Sequence, residues 1–240
     1  DIYSELNLTD EALTLYASSI KILARLKLPA EEARARSNCG KAATRLRRTA
    51  FSRNQFEKAF RLYEAQRNRN GIGVVMLNRA YLELTLGNYG EAHKFVKHAS
   101  SIFGRNKNQR QGLEATWLLA EVLANIGDYV GALKLLKKTL TESIKLEQLQ
   151  IALLSLNSMG KVSATVGDAT AAKRHFKRAI ELTEHTREQL SGEEFRMAFF
   201  NGRLEPYQNL AKIYVLEEKL GDAFRFVEKG RSKSLLELVA

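Results

Sequence analysis

Apolar and small residues recur along this chain with a helical period, and a longer period is laid over it. Three phrases lie 40 residues apart: LGNYGEA from Leu86, IGDYVGA from Ile126 and VGDATAA from Val166. Counted from Gly87, Gly127 and Gly167, a small residue falls seven before (Ala80, Ala120, Gly160) and an Ala five after (Ala92, Ala132, Ala172). A bulky apolar residue falls nine after (Val96, Leu136, Phe176) and another small one twelve after (Ala99, Thr139, Ala179). Large and small residues alternating at this spacing predict two antiparallel helices in close contact, with the Gly ending the first. Asp128 and Asp168 stand where they can cap the second helix or complement its dipole. A repeat of this length predicts stacked supersecondary units, and such arrays work by presenting a surface to another macromolecule.

Weaker copies flank these three. Upstream, NQFEKA (Asn54 to Ala59) fills the turn, followed in register by Tyr63 and Gln66. Downstream, Tyr207, Leu210, Ala211 and Tyr214 predict a first helix, and Ala223, Val227 and Gly230 a second. Asp10 is the expected cap of an opening half unit, with Ala12, Leu15, Tyr16, Ser19 and Ile20 on one face. The expected organisation is a single domain over 1–240, with a half repeat over 1–30 and repeats near 40–73, 73–112, 113–152, 153–190 and 204–237. In this alignment Ala59, Ala92, Ala132, Ala172 and Ala223 are spaced by 33, 40, 40 and 51, so the helices lengthen while the turn stays. The longest interval holds an extra helix near 193–200 (EEFRMAFF), with Phe195, Phe199 and Phe200 on the face that covers the last repeats.

The LG-x-Y-x-x-A turn between small and aromatic residues resembles the tetratricopeptide repeat (TPR) family over roughly residues 10–235. Glu83 and Ser163 depart from it where the family has an aromatic, Arg47 replaces the small residue of the first copy, and Ala169 replaces Tyr. The resemblance implies an all-α, right-handed superhelix of about five TPR-like antiparallel helix pairs with lengthened repeats. In that family the first helices of successive repeats line a concave groove that holds an extended peptide or a helix. Carried over by alignment, the groove residues are Lys41, Arg45 and Arg48, then Asn78 and Tyr81, then Trp117 and Glu121. Asn157 and Lys161 follow, then Gln208, Asn209 and Lys212. Asn and Gln amides bond a ligand backbone in both senses, and Tyr81 and Trp117 are candidate anchors. The Lys/Asn set with which chaperone-binding members clamp a terminal carboxylate is not reproduced.

The closing segment GDAFRFVEKGRSKSLLEL (Gly221 to Leu238) resembles the last repeat before the protease domain of CHAT proteins, a caspase-like family. This implies the regulatory portion of a longer polypeptide, which receives an activator or repressor and controls a downstream cysteine protease. Leu235, Leu236, Leu238 and Val239 are too densely apolar for an outer capping helix, so a following domain or a second chain is expected to cover that end. Some CHAT–TPR proteins partner RNA-guided CRISPR effectors, a further partner class implied by the resemblance. The alternatives are a freestanding TPR scaffold that binds peptides and a basic helical repeat that contacts nucleic acid.

Composition narrows the classes. With 45% hydrophobic and 27% charged residues the chain is globular, and its two prolines leave long stretches open to helix. No apolar run reaches the roughly 20 residues of a membrane span. The single cysteine, Cys39, excludes an internal disulfide and fits a reducing, cytoplasmic setting. The formal charge of +11 is concentrated in residues 21–70, where 14 Lys/Arg face four acids. Within RARSNCGKAATRLRR (Arg34 to Arg48), Lys41, Arg45 and Arg48 are expected to share a helix face, suited to an acidic protein surface or to RNA.

No catalytic constellation and no cofactor is expected. His93, His98, His175 and His185 lack the four-residue spacing of a helical metal pair. Gly160–Lys161 lacks the phosphate-loop partners, with Ser155 and Val162 in their places. Cys39 lies within a predicted helix as a small packing residue.

Overall fold

A computed structural model describes residues 9–105, 107–189 and 204–235, with side chains over 11–105, 107–186 and 204–230. The extra helix near 193–200, the cap at Asp10, the first eight residues of the half repeat and the apolar side chains from Leu235 on lie outside the described side chains. Among the described residues there are 11 α-helices and no strand. They are α1 Thr9–Arg25, α2 Pro29–Arg45, α3 Thr49–Ala65, α4 Arg69–Thr85, α5 Tyr89–Arg105 and α6 Gln109–Asn125. Then come α7 Tyr129–Lys145, α8 Leu149–Thr165, α9 Ala169–Gln189, α10 Glu205–Leu216 and α11 Leu220–Leu235. Helices α1–α6 form one compact unit and α7–α11 a second.

The period is stricter than the sequence pattern. Helices α1 to α8 each contain 17 residues, and the starts of α1 to α9 are 20 apart, from Thr9 to Ala169. Nine of the helices, α1–α8 and α10, end in the same device. The residue two past the last helical one is left-handed: Lys27, Arg47, Arg67, Gly87, Lys107, Gly127, Glu147, Gly167 and Glu218. The next N–H then donates back five residues, as Arg48 to the Ala43 carbonyl and Asp168 to that of Ser163. This Schellman closure satisfies carbonyls that the helix end would orphan. Six of the nine left-handed residues carry a side chain, at φ 52–58°. Those turns carry no glycine to mark them, and only the three glycine turns stand out in the sequence.

This corrects the register of the first copy. Its turn lies at Leu46–Arg48, not at Asn54, which sits inside α3. Ser52, 40 before Ala92, is wholly buried in the position assigned to Ala59, and Phe56 holds the register position of Val96, Leu136 and Phe176. The small residue of the first copy is therefore Gly40, not Arg47. The unit does not shorten to 33 residues, because α2 and α3 match α4 and α5 in length.

Packing within a pair follows size. A Cβ on Gly40 would lie 2.5 Å from the Phe56 ring, and one on Gly160 would lie 2.4 Å from Phe176. Where the first helix has Ala80 instead, the second has the smaller Val96, in the same core cluster. Interiors are packed densely enough that such volume exchange is required. Phe176 is then covered from the far side by Tyr207 and Leu210 of the next pair. Glu83 is buried, and it accepts two-pronged hydrogen bonds from Arg53 of the preceding pair (3.0–3.2 Å) and one from Asn88 Nδ2 at 2.7 Å. The acid in place of the usual aromatic thus pins α3 and the α4–α5 turn together.

Candidate partner-binding faces

Helices α2, α4 and α6 are the first members of their pairs, and α2 packs on α4 and α4 on α6. Because their starts are 40 apart, Lys41, Tyr81 and Glu121 occupy one register position and Ser37, Leu77 and Trp117 another. Tyr81 and Trp117 are half-buried, seated against Met76, Leu77, Ala80, Phe103 and Leu118. Lys41 Nζ reaches across from α2 to Glu114 Oε1 of α6 at 3.9 Å, and both side chains are well exposed. Asn78 is buried and donates from Nδ2 to Ser37 Oγ at 3.0 Å, so that hydrogen is spent on holding α4 to α2.

The expected grouping of Lys41, Arg45 and Arg48 is not brought together. Helix α2 ends at Arg45, Arg47 is left-handed, and Arg48 begins the next helix as its N-cap. Arg48 lines a separate, open cavity of about 560 Å³ with Leu13, Thr14, Ala17, Thr49, Ala50 and Phe51. The residues at the Asn78 and Tyr81 positions in this first pair are Asn38 and Lys41.

In the second unit α8 packs on α10. Asn157 Nδ2 donates to Glu205 Oε2 at 2.7 Å, and Lys161 Nζ lies 3.4 Å from Glu205 Oε1. Asn157 Oδ1 and Asn209 Nδ2 are buried with no hydrogen-bond partner among the described residues, leaving one acceptor and one donor unmatched on neighbouring helices. Gln208 and Lys212 are exposed on α10. Glu114 and Glu205, which organise the cations of the two faces, were not expected from the sequence. Their acidic character is plain there, but only the stacking of pairs shows what they meet.

Cys39 is buried among Leu13, Ile20, Ala35, Ala42 and Ala43, and burial pushes its thiol up to about 11, with Arg36 opposing. Such a thiol is not a nucleophile at neutral pH. Among the described residues no group of three His, Cys, Asp or Glu converges as a metal site, and no helix is long and apolar enough to cross a membrane.

Antiparallel pairs, their Schellman turns and the packing of successive first helices define a TPR-like helical repeat. Solved structures of this class are similar over nearly the whole chain. BtubC (BKLC) from P. vanneervenii matches with a TM-score of 0.71 and 14% identity, over 97% of this chain and 93% of that one. NprR in complex with its cognate peptide NprX matches at 0.67 and 18% identity, over 99% and 71%. Putative kinesin light chain TPR-like repeats from Podosopora anserina match at 0.62 and 14% identity, over 88% and 98%. At these identities the likeness is one of fold. No family model matches the sequence, and no curated protein matches it.

Proposed function

We propose that the chain is a regulatory recognition module that binds a protein or peptide segment along the faces of its first helices. The observation that carries this reading is the α2–α4–α6 face. It offers two half-buried aromatic residues, Tyr81 and Trp117, beside the exposed Lys41–Glu114 pair. Aromatic side chains partly seated in a core are good anchors, since little entropy remains to be lost on binding. An exposed ion pair contributes only about 0–1 kcal/mol, so a ligand amine or carboxylate exchanges into it at small cost. The fold is shared with a protein solved with its cognate peptide, which supports the same direction.

Trp117 is the only tryptophan, so the face carries its own fluorophore. Panning displayed 15-residue peptides against the chain, and titrating selected peptides by Trp117 emission, tests the reading. Tyr81→Ala and Lys41→Glu should each weaken capture at least tenfold while the circular dichroism is unchanged. Peptides that bind both variants as well as the parent would sink it.

We further propose that the module acts on a downstream CHAT-type cysteine protease. The resemblance of Gly221–Leu238 to that family's last repeat supports this, and so does the outer face of α11. Val227 holds the register position of Phe56, Val96, Leu136 and Phe176, which are 0–1% exposed, yet it is 42% exposed. Leu220 and Phe224 beside it are 66% and 67% exposed. In the earlier pairs a following first helix covers this position, as α10 covers Phe176. Adding a CHAT domain after Leu238 should protect the α11 amides from hydrogen exchange, and Phe224→Asp should abolish that protection. Unchanged exchange would leave a freestanding scaffold as the better reading.

A further inference from the structure

The second helices of three successive pairs repeat one cationic triplet at one register. It reads Lys94, Lys97 and His98 in α5, Lys134, Lys137 and Lys138 in α7, and Arg174, Lys177 and Arg178 in α9. In the second unit all six residues of the α7 and α9 triplets are exposed, while Leu136, Thr139, Phe176 and Ala179 on the opposite side are buried. The triplets therefore lie on the face turned away from the core. No Asp or Glu occurs between Tyr129 and Thr141 or between Ala169 and Ile180. The neighbouring Lys173 is committed to Glu217, and Lys177 lies 5.9 Å from the Tyr214 ring.

The two triplets act on one region of space. His175 lies between the α9 cations, and its imidazole is held below the ordinary range. Burial is the main cause, followed by the charges of Arg174, Lys137 and Arg178, with only Asp168 opposing. Lys137 belongs to α7, so the fields of the two helices overlap at α9. Like charges three and four apart on a helix destabilise it. Among the described residues none of these six cations is ion-paired with an acid, and only Lys177 has a ring contact within the fold. Such an arrangement is suited to an anion from outside.

We propose that the outer face of α7 and α9 binds the phosphate backbone of nucleic acid, without reading sequence. A repeated row of point charges with no aromatic residue among them, and exposed apolar side chains only at the two ends of α7 (Val130 and Ile144), fits a periodic polyanion. Protein interfaces concentrate aromatic residues and Arg and are poor in Lys, so an acidic protein fits less well. Single-stranded RNA and duplex DNA share the chemistry, since phosphate contacts position a nucleic acid without specifying bases. The face is separate from the first-helix faces, so the proposal does not rest on peptide binding.

The test is fluorescence anisotropy of the full chain with labelled 20-nucleotide RNA, a labelled 20-base-pair DNA and labelled polyglutamate, across 50–200 mM KCl. Six phosphate contacts on duplex DNA correspond to a loss of about 10³-fold in affinity over that range. The triple variant Lys137→Glu, Arg174→Glu and Arg178→Glu should lose at least tenfold in affinity at 100 mM and about half of the salt slope. A control with the same charge change, Lys21→Glu, Arg25→Glu and Lys58→Glu, should lose much less, and Tyr81→Ala nothing. If the reversal variant melts early, the corresponding Gln triple replaces it, with a smaller loss expected. Equal losses in variant and control would overturn the assignment, because net charge alone would then explain binding. Tighter binding of polyglutamate than of RNA or DNA would overturn it in favour of an acidic protein.

Discussion

Replacing Gly160 by Ala adds one methyl group where α8 crosses close to the Phe176 ring of α9. The new Cβ would lie 2.4, 2.6 and 2.7 Å from three atoms of the Phe176 ring. Ordinary carbon contacts are about 3.5–4.0 Å, so the ring or the helices must give by more than an ångström. Phe176 is 1% exposed, and behind it stand Tyr207 and Leu210, which are 1% and 0% exposed, so the ring has nowhere to retreat. Overpacking of this kind costs about 1–3 kcal/mol, against which Ala recovers about 1 kcal/mol of helix propensity. We expect Gly160→Ala to be net destabilising by about 1 kcal/mol, and Gly160→Leu by more. Gly104, with open space around its Cβ direction, is the control, and Gly104→Ala should be neutral or stabilising. Urea denaturation followed by circular dichroism measures the difference, and hydrogen exchange should place the loss in α8–α10. The double variant Gly160→Ala, Phe176→Leu should lose less than the sum of the singles, since both act on one contact. A Gly160→Ala protein as stable as the Gly104→Ala control would refute the reasoning.

Three further outcomes follow from the turns and the buried polar groups. Glu147→Gly relieves a left-handed residue at φ 54° and should stabilise the chain by about 0.5–1 kcal/mol; a lower urea midpoint would count against the Schellman assignment. Arg53→Met strands the Glu83 carboxylate, whose side chain is 9% exposed, and should cost about 3 kcal/mol. Glu83→Leu leaves an Arg that is 53% exposed and free to hydrate, so it should cost clearly less; the reverse order would contradict the buried-acid account. Because burial raises the Cys39 thiol to about 11, its contribution to stability is full at neutral pH and is lost as pH climbs from about 8.5 through 11. Compared with Cys39→Ala, the parent should therefore lose stability across that window, and parallel curves would show that the thiol is not shielded.

Much of the fold was legible in the residues. Gly87, Gly127 and Gly167 marked three turns because glycine is the residue at home in the left-handed region, where all three lie at φ 77–88°. The small-to-large exchange of Ala80 with Val96 and Gly160 with Phe176 marked the helix crossings. The first copy was misplaced because its turn carries Arg47 where the later copies have Gly, and Ser52 stands where they have Ala. The displacement, from Ser52 to Ala59, is seven residues, almost two helical turns at 3.6 residues each. A slip of that size keeps every apolar side chain on the same face, so hydrophobic periodicity cannot detect it.

The candidate faces divide in the same way. That Tyr81 and Trp117 lie on first helices, a position carried over by alignment with the TPR pattern, could be read from sequence because helix periodicity is a local property. The partners of charged groups could not, since Lys41 meets Glu114 and Lys161 meets Glu205 only after separate helices stack. The triplets of α7 and α9 are printed in the sequence, yet the influence of Lys137 on His175 arises only once the pairs stack. Sequence alone thus determined the helical class and the 40-residue unit of the three glycine-marked copies, because backbone propensity and side-chain volume act between near neighbours. Tertiary structure decided which charges are paired, which carboxylates are buried and which apolar residues of the last helix stay uncovered. Those outcomes depend on distances between residues far apart in the chain, which are set only when successive pairs pack against each other.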